Sequence, residues 1–226
     1  MPVVHVIPDI HGRLDALDLM LKASGLFGAG DAWTGPPDST LIQLGDLVDR
    51  GPQSPACVER MMGLQLLHPD RVRVLRGNHE ALLLSTEPSM QNIWLMNGGQ
   101  ESVRAYGADF EALCRDDGRH ALWLRSLPAK WIQDNVLFCH AGLGPQNADA
   151  DDEEALLWDR PPHVRGDFRA VVCGHSRTPS RRIEHKQGIF YTDIGLGYEP
   201  LRQTVEMLRI ETRALRWEIL DLGEIN

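Results

Sequence analysis

The sequence predicts an α/β fold in which a parallel sheet is followed by a second, more antiparallel one. Three observations carry that expectation. A unit of short apolar run, polar loop and helical pattern occurs three times in succession, at Val3, Thr40 and Val72. The stretch 88–127 then has helical texture throughout. Past Pro128 the pattern changes to short β-like runs separated by turn residues.

In the first unit, Val3 to Ile7 is a β-branched run closed by Pro8, after which Asp9 and His11 stand two apart before Gly12. From Arg13 to Ala23, Leu14, Leu17 and Leu21 recur at helical spacing. The residues between Asp31 and Ser39, with Gly35, Pro36 and Pro37, form a surface loop. Thr40 to Leu44 opens the second unit, GDLVDRG follows at Gly45 to Gly51, and Pro52 to Leu67 carries Val58, Met61 and Met62 on a helix. The third runs from Val72 to Leu75 through RGNHE, Arg76 to Glu80, into a helical Ala81 to Ser85. Such units give parallel strands with right-handed crossovers, so their polar loops share one edge of the sheet. Ligands of open α/β sheets bind outside that carboxyl edge.

Between Pro88 and Leu127 the sequence reads as a helical insertion or cap on a single domain spanning residues 1–226. Asn97 to Gly99 is a turn within it, and Trp94 and Trp123 are expected to pack in the core. Six later runs read as strands of the second sheet: Lys130 to Gln133, Val136 to Cys139, Ala170 to Cys173, Ile189 to Thr192, Thr204 to Ile210 and Leu215 to Leu220. Two of them end in histidine loops, HAG at His140 to Gly142 and GHS at Gly174 to Ser176. The acidic run Asp149 to Glu154 suits a solvated loop and the first turn of a helix. It leads into Leu156, Leu157 and Trp158, with Arg160 left to point elsewhere. His5, His68, His120, His163 and His185 lack a carboxylate or glycine context and read as ordinary core or surface residues.

With 226 residues, 42% of them hydrophobic, the chain is able to bury a large core. A formal charge of −9 argues against nucleic acid and anionic membranes as partners. A strand beginning near Val3 leaves no room for a signal peptide, and no apolar run approaches membrane-spanning length, so a soluble, cytoplasmic protein is expected. Cys57, Cys114, Cys139 and Cys173 show no paired spacing and are expected to be structural thiols.

The groups that end strands are Asp9, His11, Asp46, Asn78, His140 and His175. This mixed oxygen and imidazole set is large enough for two divalent metal ions, and suits manganese, iron or zinc better than calcium. One carboxylate must then bridge, and Asp46 is the central candidate. Two metals can clamp a phosphoryl oxygen and activate water, so hydrolysis of a phosphoester is the expected reaction.

DIHG at 9–12, GDLVDRG at 45–51, GNHE at 77–80, HAG at 140–142 and GHS at 174–176 together resemble the calcineurin-like metallophosphoesterases, and within them the bacterial and phage-type phosphoprotein phosphatases. TDIGLGY at 192–198 is similar to that family's final strand and turn. The resemblance implies a sandwich of two mixed sheets flanked by helices. It implies Asp9, His11 and Asp46 on one metal, and Asp46, Asn78, His140 and His175 on the other. It further implies His79 as general acid paired with Asp49, and Arg50 and Arg160 as a phosphate clamp. Pro8 stands where the family usually has glycine, and Ser176 replaces the usual threonine; neither change removes a ligand. The expected substrate is a phosphorylated protein or peptide at serine or threonine, with tyrosine as a further candidate, and a dinucleoside polyphosphate such as diadenosine tetraphosphate as the alternative. A non-catalytic phosphate-binding scaffold is the reading from a different class, which the intact set with His79, Asp49 and Arg50 opposes. Arg76 is expected to be a surface charge.

Overall fold

The computed structural model describes residues 1–115, 117–144, 149–166, 168–198 and 203–225. Its three opening units are β1 (Val3–Ile7), α1 (Leu14–Ser24), β2 (Ser39–Gln43), α2 (Ser54–Leu67), β3 (Val72–Val74) and α3 (Asn78–Leu84). β1 and β2 are parallel, with Val4 opposite Thr40, and β2 is parallel to β3, with Ile42 opposite Arg73. The insertion comprises α4 (Pro88–Trp94), a π-type turn at Leu95–Gly99, α5 (Gln100–Tyr106), α6 (Phe110–Cys114) and α7 (Arg119–Ser126). Then come β4 (Lys130–Gln133), β5 (Val136–Cys139), α8 (Glu153–Trp158), β6 (Ala170–Cys173), β7 (Glu184–Lys186), β8 (Ile189–Tyr191), β9 (Gln203–Glu211) and β10 (Arg216–Ile225).

The first sheet has the order β10-β9-β1-β2-β3 and the second the order β4-β5-β6-β8-β7. Two features correct the sequence reading. β9 and β10 belong to the first sheet, not the second: β9 runs antiparallel to β1, with Val4 opposite Ile210. β1 is buried almost along its whole length, so its backbone groups need partners on both edges, and β2 supplies only one. Moreover, the second sheet is parallel at its centre, β5 to β6 to β8, because long connections carry the chain back to the same end. Only its outer strands, β4 and β7, pair antiparallel. β7, Glu-His-Lys, carries no apolar signal and is a strand only because it folds back on β8.

Alternation along the strands of the second sheet divides the core. Val136, Phe138, Val172 and Phe190 join Val4, Val6, Ile42 and Val74 in the central layer between sheets. Leu137, Cys139, Val171 and Cys173 face the other way and pack under Ala155 and Leu156 of α8. Alternating direction of successive side chains thus turns the two cysteines away from the central layer. All four cysteines are buried and free. Asp152 caps α8, accepting the Ala155 N–H at 3.1 Å, in keeping with the acidic run as a helix start. Among the described residues no helix is long and apolar enough to cross a membrane.

Candidate active site

Six strands point their carboxyl ends at one place. β1 delivers Asp9 and His11, β2 delivers Asp46 and Asp49, and β3 leads into Asn78 and His79. β5 delivers His140, β6 delivers His175, and β8 ends two residues before Asp193. His11, Asp46, Asp49, Arg50 and His175 all adopt positive φ, between 46° and 73°. Left-handed backbone is uncommon outside glycine, and strain of this kind gathers where a fold must aim side chains tightly. Gly174 shows how tight: a Cβ there would overlap Asp9 Oδ1.

The sequence places Asn78 and His79 in a loop, but they form the first turn of α3, because two carboxylates satisfy the exposed N–H groups of that turn. Glu80 Oε2 accepts the Gly77 N–H at 2.8 Å, and Asp46 Oδ1 accepts the His79 N–H at 3.0 Å.

Asp46 is the hub. Its Oδ2 lies 3.5 Å from Nε2 of both His11 and His140. Candidate donor atoms of His11, Asp46 and His79 lie within 4.8 Å of one another, as do those of Asp9, Asp46 and His140, so Asp46 is common to both groups. His11 and His140 each turn Nδ1 onto a backbone carbonyl, Val48 at 2.9 Å and Leu44 at 3.0 Å. That contact fixes the tautomer and aims an Nε2 lone pair into the site. In His140 this lone pair faces Asn78 Oδ1 at 2.8 Å. Two acceptors at that separation repel unless a cation lies between them. Asp9 Oδ1 is buried without a hydrogen-bond partner, and His175 turns Nδ1 to the same Asn78 Oδ1, at 3.0 Å. Orphaned buried donor atoms and opposed lone pairs are what a metal centre leaves behind, so the residues fit divalent cations.

The electrostatics agree. Burial, with Asp193 and Asp46 beside it, pushes the Asp9 carboxyl well above its usual range, a penalty that nearby cations would remove. Burial would raise Asp46 too, but the surrounding imidazoles, His140 foremost, hold it below. Burial lowers His11, His140 and His175, the last to about 2, which favours the neutral imidazole that binding a cation requires. His79 differs: burial opposes its protonation, yet Asp46 and Asp49 outweigh that and raise it.

His79 Nδ1 lies 2.7 Å from Asp49 Oδ2, and Nε2 lies 3.0 Å from Arg50 Nη2. Arg50 also reaches His11 Nε2 and stacks its guanidinium 4.0 Å over the Tyr198 ring. Arg160 is anchored on the His175 carbonyl at 2.9 Å and on Ser176 Oγ at 3.2 Å. Asp46, Asn78, His79, Arg50 and Arg160 line one cavity of about 170 Å³, with Trp158 and Tyr198 also contributing. Pockets for drug-sized ligands run to about 300–1,000 Å³, so this one has room for a phosphoryl group with the remainder of a substrate outside. Arg76 pairs with Glu153, away from that cavity.

The sequence reading missed several residues. Glu80 is fully buried. Trp94, expected only to pack, is buried against Phe110 but also donates its indole N–H to Asp49. Trp123, by contrast, packs and gives its N–H to Gln65. Asp193 could have been found, since FYTD repeats the pattern of apolar run followed by carboxylate.

The model of the calcineurin-like phosphoesterase family matches residues 2–179. The match covers most of the chain, and the chain belongs to the calcineurin-like phosphoesterase family. It is 27% identical over 193 residues to the serine/threonine-protein phosphatase PP2A-like PPG1 of Candida albicans, covering 76% of this chain and 40% of the relative. It is 36% identical over 114 residues to serine/threonine-protein phosphatase 1 of Salmonella typhimurium, covering 49% of this chain and 46% of the relative. The matched parts therefore span less than half the length of either relative. A cold-active protein tyrosine phosphatase has the same fold, with a TM-score of 0.70 at 18% identity, over 100% of this chain and 78% of that one.

Proposed function

We propose that the chain is a metal-dependent phosphomonoesterase acting on phosphorylated protein, at serine or threonine first and tyrosine second. One observation carries this reading: the Asp49–His79 pair turns His79 Nε2 toward the same small cavity that Asp46, Arg50 and Arg160 line. Likeness to two serine/threonine phosphatases supports the substrate class.

Asp9, His11 and Asp46 would hold one ion and Asp46, Asn78, His140 and His175 the other, manganese best suiting the donor set, with iron or zinc also compatible. When bound, two such ions supply Lewis acidity to the phosphoryl oxygens and acidify the attacking water. The chain's own groups do the rest. Arg50 and Arg160 hold the phosphoryl oxygens in charge-assisted hydrogen bonds and oppose the negative charge that grows there. His79, whose protonated form Asp46 and Asp49 favour and burial and Arg50 oppose, gives an Nε2 proton to the departing alkoxide once Arg50, which lies on that nitrogen, turns to the phosphoryl oxygens. Asp49 keeps Nδ1–H fixed, so that Nε2 is the nitrogen facing the leaving group. The narrow cavity admits the phosphoryl group while excluding bulk water from the Asp46 hub.

Purified protein with manganese should release inorganic phosphate from phosphoserine, phosphothreonine and phosphotyrosine peptides, and a chelator should abolish the release. A higher kcat/KM on diadenosine tetraphosphate than on every peptide would replace this reading by the dinucleotide hydrolase. Phosphate binding without turnover of either would make the protein a scaffold.

A further inference from the structure

Asp49 is held by the helical insertion, not by its own loop. Its side chain is fully buried, and its oxygens face three donors. Trp94 Nε1, at the end of α4, lies 3.0 Å from Oδ1 and 2.9 Å from Oδ2, so a single indole N–H sits between both oxygens. Ser102 Oγ, on α5, donates to Oδ1 at 2.7 Å. The remaining partner is His79 Nδ1 on Oδ2. Ser102 Oγ and Ser54 Oγ also accept the Asp49 N–H, at 2.9 and 3.0 Å.

The same segment grips the next residue. Arg50 N–H donates to the Gly98 carbonyl at 3.0 Å. Gly98 has φ of 104°, and a Cβ there would come within 2.6 Å of Arg50 Cγ. Residues 94–102 therefore close directly onto the Asp49–Arg50 turn, whose own φ values of 73° and 65° are unfavourable for non-glycine residues.

On the reading that His79 is the general acid, we infer that Trp94 and Ser102 are positioning residues for it, acting through Asp49. A carboxylate bonded to His79 alone could rotate about its terminal torsion and meet Nδ1–H with either oxygen at varied angles. Two further donors on the oxygens fix the carboxylate plane, and with it the imidazole ring and the direction of Nε2–H. An indole suits this role because it donates one hydrogen bond and accepts none, and here its bulk is locked by packing on Phe110. The inserted helices would thus serve the proton-transfer half of the reaction, separately from the metal ligands, since the hydrogen bonds of Trp94 and Ser102 go to Asp49 and Ser54.

The test is a leaving-group comparison. Trp94→Phe keeps the ring and removes the N–H; Ser102→Ala removes the hydroxyl. Each is assayed with manganese on a phosphoserine peptide, whose alkoxide needs a proton, and on p-nitrophenyl phosphate, whose anion leaves unaided, under conditions where P–O cleavage limits the rate. General acid catalysis is worth about 10²–10⁴-fold, so misaiming the acid should lower kcat on the peptide about tenfold more than on p-nitrophenyl phosphate. In a His79→Asn background the same substitutions should have no further selective effect. Equal losses on both substrates, or a selective loss that persists without His79, would overturn the inference. Should Trp94→Phe fail to fold, as judged by circular dichroism, the Ser102→Ala ratio decides. His79→Asn alone separates this idea from the reading it rests on: if that variant loses both substrates equally, His79 is not the acid, whatever Trp94 does.

Discussion

Glu80 accepts the backbone N–H of Asp46 at 2.8 Å, so that a side chain on α3 holds the main chain of the β2 loop. The same carboxylate takes the N–H groups of Gly77 and Leu47, each at 2.8 Å, and of Val48 at 3.3 Å. Burial and the nearby Asp46 charge push Glu80 up to about 7, with the N–H groups of Asp46 and Gly77 and the neighbouring His79 opposing. In Glu80→Gln an amide NH₂ would face N–H donors that previously shared an oxygen. Leaving buried donors unpaired should cost roughly 2–3 kcal/mol of stability in urea unfolding. An unchanged midpoint would mean that the loop holds itself.

In the proposed ligand sets Asp46 is shared by both ions, and Asp9 belongs to one. Asp46→Asn should therefore weaken two metal sites together, and Asp9→Asn chiefly one. Elemental content after dialysis reads the difference. Two tightly held ions in Asp46→Asn would remove its bridging role.

The two arginines differ in surroundings. Arg50 is part-buried against Tyr198 and two imidazoles, whereas Arg160 is exposed and more strongly screened by water. Arg50→Ala should lower kcat/KM by roughly 3–4 kcal/mol of transition-state binding, the scale of one preorganised donor, and Arg160→Ala by less. Unchanged kcat/KM and unchanged inhibition by inorganic phosphate in Arg160→Ala would place that arginine outside the site.

His5, far from this chemistry on β1, gives a pH prediction. It is buried, its Nδ1 has no partner, and burial together with Arg209 pushes its pKa down to about 4. The unfolded chain takes up this proton near the ordinary value of about 6.5 and the folded chain does not. Stability attributable to neutral His5 is therefore complete above that value and is lost as the pH falls toward about 4. At 1.36 kcal/mol per pH unit, the loss is on the order of 3 kcal/mol. His5→Phe should flatten unfolding free energy over that window relative to the parent; parallel profiles would show that His5 does not contribute.

Much of the site was legible because parallel strand–loop–helix units force their loops to one edge, so Asp9, Asp46 and Asn78 had to meet whatever their side-chain detail. His140 and His175 followed from the same pattern in later strands. The placement of β9 beside β1 was not legible: strand partner choice over some 200 residues leaves no local mark, and Thr204–Ile210 would pair as well on another edge. Glu80, Trp94 and Ser102 look like ordinary helix residues, since what distinguishes them is the Asp46–Asp49 stretch they reach, through its backbone or its carboxylate, at least thirty residues away in sequence.

The antiparallel pairing of β1 with β9 also bears on how the chain is made. Val3 pairs with Glu211 and Val6 with Leu208, so β1 waits for β9, made only after β2 to β8, before its second edge is covered. Until then Val3–Ile7 is an apolar run with open hydrogen-bonding groups, the kind of edge that recruits other nascent chains. The stretch that carries Asp9 into place thus depends on protection during synthesis.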